Sequence, residues 1–348
     1  MSKDADRLLK QGISQYQAED FDAAQQSWQA ALALYQAAGN YQRSGAALGN
    51  LGAVCEALED VSGAIAYYLQ HLEIARAIAD PQGEGNALEN LANASLKLDR
   101  SESAIAYLQE RLALAQSLND PFAQGKALAS LRSIYDFLGD RQQAQRCFEQ
   151  QWAIAIAFLI PTRTTNFLEN AQQLGLNPLE DFAGADLEGV NLHYADLSFA
   201  NLQQTNLAGA DLTLADLNHA QLQKANLSGA SLSNANLRDA NLSSANLNHA
   251  DLRTILPRAN LSQAQLVGAN LCSAYLQRVN LTQANLTNTN LTGADLTDAN
   301  LSEAQLIGTQ LKGVTLSGAK VENTRFQDNP DLSEATKQEL IARGAIIE

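Results

Sequence analysis

Histidine and cysteine, the side chains that most often activate a nucleophile or hold a transition metal, are scarce here. There are four of the first, His71, His193, His219 and His249, and three of the second, Cys55, Cys147 and Cys272. No histidine has a second ligand or a base at useful spacing, and no cysteine accompanies one. No CxxC pair occurs, so the three thiols read as ordinary side chains of a reducing cytosol. The glycines match neither GxGxxG nor a phosphate-binding GxxxxGK loop, and the aspartates are spread along the chain instead of converging. The expectation is a protein that is not an enzyme, with no catalytic residue, cofactor or metal site. Asparagine carries a different chemistry. Asn50 and Asn90 stand forty residues apart, and a carboxamide can donate and accept at once, as an unpaired peptide backbone requires.

Composition narrows the partners. The 348 residues carry a net charge of −15, divided as −8 over residues 1–180 and −7 over 181–348. Phosphate contacts need clustered Lys and Arg, so direct nucleic-acid binding is not expected. The N-terminal MSKDADRLLK lacks the apolar segment of a signal peptide. The longest apolar run, from Trp152 to Ile160, is far short of the roughly 20 residues that span a bilayer. A cytoplasmic monomer, with no membrane insertion, is the expectation.

The elements that position Asn50 and Asn90 follow from a forty-residue period. Leu8, Leu48, Leu88 and Leu128 share it, as do Ala24, Ala64, Ala104 and Ala144, and Pro81, Pro121 and Pro161. Within a unit the apolar residues take helical spacing: Leu48, Leu51, Cys55 and Leu58, then Ile65, Tyr68, Leu69 and Leu72. Asp-Pro at 80–81 and 120–121 places an acceptor before a proline at the first helical position, which marks a helix start. Each unit is therefore two antiparallel helices, for example 41–58 and 61–79. The pattern Leu48, Leu51, Gly52, Ala64 and Tyr68 resembles the tetratricopeptide repeat in an extended form of about forty residues. It departs where that family carries an aromatic on the first helix, since Cys55 and Ser95 stand there. Four such pairs are read over 1–160, an α-α superhelix, with a capping helix at 162–174 covering the last apolar face and a linker to 180.

The resemblance implies that the first helix of each pair lines a concave groove. Spacing from the leucine columns places Arg43, Asn50, Asn86, Asn90, Asn93, Lys97, Lys126 and Ser130 on that face. Related extended repeats use Asn in this column to hold a peptide backbone. The competing reading is a solvated helix face; Lys10 and Ser130 interrupt the Asn column at its two ends.

From Phe182 to Phe326 the period changes to five, with Leu at 187, 192, 197 and onward, a small residue two before it, and Asn or Asp between. This A(D/N)LXX signature resembles the pentapeptide-repeat family, which implies a right-handed quadrilateral β-helix over 181–328. Four pentapeptides make one square coil, with Leu and the small residue inward. Thirty units stacked at the inter-strand spacing give a rod of about 36 Å. The step from Leu252 to Leu256 is four residues instead of five. Corrected for that deletion, Gly189, Gly209, Gly229, His249, Gly268, Asn288 and Gly308 form one column. Such residues tolerate positive φ, as a stack of type II turns requires. Ser333 to Arg343, within the tail 329–348, reads as a C-terminal capping helix.

Outward positions that break the pattern draw attention. Tyr194, Phe199 and Leu214 are apolar and are expected to dock the helical domain, or otherwise a partner. Arg238, Ile255, Arg258, Tyr275 and Arg278 form a patch beside the deletion, with a rival explanation as a ladder in which Asp239 and Asp298 pair with the arginines. The combined resemblances, frequent in photosynthetic bacteria, point to a non-catalytic adaptor for protein or peptide partners. The alternative is the branch of pentapeptide proteins that mimics DNA and binds type II topoisomerases, against which Arg238, Arg253, Arg258 and Arg278 interrupt the acidic charge.

Overall fold

The computed structural model describes residues 2–162 and 167–348. The chain divides into two compact units, Met1–Ala155 and Ile156–Glu348. The first is a run of helix pairs: α1 (Ser2–Gln17) with α2 (Phe21–Ala37), α3 (Tyr41–Ala57) with α4 (Val61–Ala77), α5 (Pro81–Lys97) with α6 (Ser101–Ser117), and α7 (Pro121–Phe137) with α8 (Arg141–Thr162). Helices α1 to α7 each stop at a three-residue turn whose middle residue has positive φ, from Glu19 and Gly39 to Gly139. That left-handed residue closes the helix C-terminus. The next residue then caps the following helix: Asp20, Asn40, Asp60, Asp80, Asp120 and Asp140 each accept from the amide three residues on, and Arg100 alone in this series does not. A chain break every twenty residues is thus set by one αL residue and one short acceptor.

The aromatic-poor positions of the first helices are filled by small polar side chains with local partners. Gln15 accepts from Ser27 Oγ at 2.7 Å, and Ser95 Oγ donates to Leu91 O at 2.7 Å. Cys55 is buried against Ala64, Tyr68 and Leu88.

In the second unit, parallel bridges join each residue to one twenty further on, such as Asp186 to Asn206 and Asn206 to Asn226. One coil is therefore four pentapeptides. The interval drops to nineteen for Asn236–Ile255, Asn241–Asn260, Asn246–Gln265 and Asp251–Asn270, and returns to twenty at Ile255–Tyr275. The deletion after Leu252 removes a single corner residue. The inward leucines from Leu187 to Leu311 are at most 2 % exposed, and the small residues beside them are buried from Ala200 to Thr309. Where Thr takes the small position, its buried hydroxyl is satisfied by a carbonyl one coil earlier: Thr205 to Phe182, Thr289 to Leu266, Thr309 to Leu286 and Thr324 to Leu301. An unpaired hydroxyl in that core would cost about 1–3 kcal/mol.

The preference for Asn or Asp before each Leu has two causes. The side-chain oxygen accepts from the amide two residues on, as Asn241 does from Ser243 at 3.2 Å and Asp295 from Thr297 at 3.0 Å. The Asn amide also donates to the previous coil, as in Asn226 to Asn206 (2.9 Å), Asn246 to Asn226 (3.0 Å) and Asn280 to Asn260 (3.0 Å). Asp serves the turn and can accept in the ladder, as Asp216 does from Asn236 at 3.0 Å, but it cannot donate to it.

Both ends of the rod are covered. The expected capping helix at 162–174 is corrected: it is α9 (Phe167–Gln173), it lies in the second unit, and its Phe167 ring meets Phe182 edge-on at 6.0 Å. The physical reason is that Phe182 fills the interior of the first coil, with no coil before it to bury the ring. Residues 163–166 of that expected helix lie outside the described residues. At the other end α10 (Glu334–Ala342), capped by Ser333, buries Leu340. The chain then adds an unforeseen strand. The rod's last coils hold β1 (Gln305–Ile307) and β2 (Arg325–Gln327), and β3 (Ile346–Ile347) pairs with β2 in parallel. This satisfies a sheet edge that would otherwise be open.

Candidate functional site

The first helices of successive pairs run side by side, with α3 against α5. Arg43 Nε lies 4.0 Å from Asp6 of α1, and Lys97 Nζ lies 2.6 Å from Glu56 of α3. These two cations therefore tie neighbouring helices together. Asn86 accepts from Gln82 Nε2 at 3.1 Å. Asn50 and Asn90 are half-buried at equivalent positions of α3 and α5, and neither amide has a hydrogen bond among the described residues. Asn93, Lys126 and Ser130 are exposed. Lys126 also lines a cleft of about 290 Å³ with Pro81, Gln82, Arg111, Leu118 and Phe122.

Sequence reasoning passed over a polar column on the second helices. His71 lies over Gly45 and Gly49, where a Cβ on Gly45 would stand 3.0 Å from its ring. Arg111 lies over Gly85 in the same way and reaches Glu89 at 3.2 Å. Gly45, Gly85 and Gly125, forty residues apart, were the available signal. Burial lowers the His71 pKa, partly opposed by Asp80, and its buried Nδ1 has no hydrogen-bond partner. It is a neutral packing group. Burial likewise raises the thiols of Cys55 and Cys147, and all three cysteines are free. No cluster of three or more potential metal ligands occurs among the described residues.

On the rod, the deletion-corrected glycine column has positive φ throughout, from 58° at Asn288 to 66° at Gly268. The other corners do the same with bulkier residues, including Tyr194, Leu214, Phe199 and Arg258. Asp239, Arg258, Arg278 and Asp298 form one corner column. Arg258 Nε donates to Asp239 at 2.6 Å, and Arg278 lies 3.7 Å from Asp298. The Arg258 hydrogen bond holds the Asp239 carboxyl below its usual range. Arg238 does not belong to this column, as expected from spacing. The deletion shifts the register, so Asp239 N meets Pro257 O and Arg238 occupies the neighbouring outward column. Arg238 forms no ion pair among the described residues.

The two apolar groups expected to be separate lie on one side of the rod. Asp196, Asp216, Asn236, Ile255, Tyr275 and Asp295 are bridged in succession along one face. Tyr194 and Leu214 form the corner before it, and Phe199 and His219 the corner after it, with their rings stacked at 5.0 Å. Tyr194 also lines a cleft with Phe167, Leu168 and Glu169 of α9, and packs edge-on against His193 at 4.1 Å. Phe199 and Leu214 do not share that cleft.

These features define a protein of two repeat solenoids. Tetratricopeptide repeats match residues 47–82, 87–122 and 127–160, and pentapeptide repeats match 181–218, 195–234, 220–256, 254–293 and 289–328. The second half is similar to HetL, a pentapeptide repeat protein involved in heterocyst differentiation regulation from the cyanobacterium Nostoc sp. strain PCC 7120. Identity is 35 %, covering 43 % of this chain and 76 % of that one, with a TM-score of 0.23. The chain belongs to the pentapeptide-repeat family and carries tetratricopeptide repeats ahead of the rod. QnrB1, a plasmid-mediated fluoroquinolone resistance protein, is 19 % identical over 47 % of this chain and 89 % of its own, with a TM-score of 0.26. Aspartyl phosphate phosphatase F from Bacillus subtilis is 19 % identical over 50 % of this chain, with a TM-score of 0.42. Only 44 % of that protein is spanned. No curated protein matches the chain.

Proposed function

We propose that this protein is a non-catalytic adaptor. The face of the first helices holds an extended peptide of one partner, and the rod offers a second partner surface around Ile255 and Tyr275. The observation that carries the reading is the pair Asn50 and Asn90, set at one position of consecutive repeats, with amides not engaged by the described residues. Two such amides along a strand could each donate to a carbonyl and accept from an N–H. Both repeat families act through protein contacts, which supports the general role. Among the described residues no helix is long and apolar enough to cross a membrane. Three free thiols suit a reducing compartment such as the cytoplasm.

Mimicry of DNA toward a type II topoisomerase is the weaker alternative, because Arg238, Arg253, Arg258 and Arg278 break the acidic charge in mid-rod. The groove reading is tested by changing Asn50 and Asn90 to Ala together in the full chain. Partners bound through a peptide are lost while the circular dichroism stays native; retention of every partner contradicts the groove.

A further inference from the structure

We infer that one face of the rod, from the coil of Tyr194 to that of Tyr275, pairs with the same face of a second copy of this chain, the two rods running antiparallel. That second copy is the partner at the second surface of the adaptor reading, on which the inference rests.

Among residues 181–328 the exposed large apolar side chains are Tyr194 (69 %), Phe199 (62 %), Leu214 (41 %), Ile255 (39 %) and Tyr275 (56 %). All five lie on the bridged face or on its two bounding corners. They form a group at each end of a stretch of five coils. Tyr194 and Phe199 stand in the first coil and Leu214 in the second, Ile255 in the fourth and Tyr275 in the fifth.

Charge runs along the same stretch and changes sign. On this face and the corner after it, the first coil carries Asp196 and the second Asp216. The third carries Arg238 and Asp239, the fourth Arg258 and the fifth Arg278. Arg253, on the corner before the face, is held by Asp251 at 2.6 Å, and Asp295 and Asp298 belong to the sixth coil. By coil the formal charge is therefore negative, negative, neutral, positive, positive, antisymmetric about the third.

An antiparallel copy sets the first coil on the fifth and the second on the fourth. Each aspartate then meets the coil of an arginine, and each apolar group meets the other. A parallel copy would set Asp196 on Asp196 and Arg278 on Arg278. The antiparallel two-fold axis lies in the plane of contact, across the rod, and turns each column onto its own reverse. Phe199 meets Arg278 as a cation–π pair, and the Tyr275 hydroxyl is set to donate to Asp196. Asn236 meets Asn236, where each carboxamide donates and accepts. Asp239 meets Asp239, each already paired with Arg258 of its own chain. An acidic helix or a nucleic acid would match only the arginine end of the face, and a basic helix only the aspartate end. Five coils make a small interface, so the pairing is in the micromolar range or weaker.

The test is sedimentation velocity of the full chain from submicromolar to several hundred micromolar, where a monomer–dimer equilibrium should appear. Asp196→Lys and Arg278→Glu each set like charges opposite one another and should weaken the dimer by about tenfold. Tyr275→Ala should weaken it by a similar factor. The double variant Asp196→Lys/Arg278→Glu, or an equal mixture of the two single variants, restores both opposed pairs and should recover most of the parental affinity. The two residues stand about 19 Å apart on one chain, so that rescue acts only across copies. The Asn50→Ala/Asn90→Ala variant should dimerise as the parent does, which separates failure of the groove from failure of this face. A monomer at every concentration would overturn the proposal, as would single variants that dimerise like the parent or a double variant no better than either single one. A monomer whose Tyr275→Ala variant loses a different host protein would overturn the second copy and leave the adaptor reading standing.

Discussion

In the helical half, a glycine at one position faces an aromatic ring on the next helix. A Cβ on Gly12 would fall 2.4 Å from Trp28, and one on Gly52 would fall 2.2 Å from Tyr68. Two repeats later the same contact is made by Ala92 and Leu108, both buried, and then by Arg132, whose guanidinium lies 4.7 Å over the Phe148 ring. In the first three pairs volume lost on one helix is regained on the other, whereas the fourth sets two large side chains together. In the rod no such exchange occurs: Leu and a small residue recur in every coil, because four sides converge on a core too narrow to trade volumes. Helical repeats vary in their cores by compensation; the rod confines variation to its corners and faces. Exceptions in the rod therefore lie on its outer surface, whereas exceptions among the helices can be absorbed in the core.

The largest effect that could break this contrast is a charge in the rod. Ala245→Asp buries an unpaired carboxylate where nothing can move aside, and should cost more than about 4 kcal/mol. Urea unfolding should show the cooperative rod transition lost; a mild shift would mean the core is more accommodating than argued. Next, Gly52→Ala should destabilise the helical half by about 1–3 kcal/mol through overpacking on Tyr68. Adding Tyr68→Leu reproduces the Ala92–Leu108 pair and should recover most of that loss. A double-mutant cycle without coupling would remove the compensation argument.

The third effect depends on pH. The folded state holds His71 neutral, with its pKa lowered chiefly by burial. On acidification the unfolded chain therefore takes up the proton first. Stability from this group is present above about pH 6.5 and is lost as pH falls toward the folded value, with a slope of at most about 1.4 kcal/mol per unit. Denaturant midpoints of the helical half between pH 7.5 and 5 should show it, and His71→Gln should flatten the dependence. The smallest effect is a gain. His249 stands at φ 60° in the glycine column, so His249→Gly should stabilise the rod by about 0.5–1 kcal/mol. A loss there would show that the imidazole contributes more than the strain it imposes.

Much of this was legible in the sequence because both halves are periodic. The forty-residue columns locate the helices, and the five-residue pattern with its shortened step at Leu252 reproduces the observed register of Ile255 and Tyr275. What periodicity conceals is contact between columns. Glu56 and Lys97 are forty-one residues apart, so their ion pair belongs to no column, and Lys97 looked available for a ligand. Tyr194, Phe199 and Leu214 looked separate from Ile255 and Tyr275 for a related reason, since only the register across four coils shows that they border one face. The ends α9 and β3 follow from open edges, which leave no repeat in the sequence.

The central claim is that one chain binds through two chemically different surfaces. It is tested by comparing, by quantitative affinity capture from the native host, the partners of the full-length parent, of Asn50→Ala/Asn90→Ala and of Arg238→Glu/Tyr275→Ala, all with native circular dichroism. The account predicts that each variant loses its own partners and keeps those lost by the other. Loss of one common set in both variants, or of none in either, would contradict it.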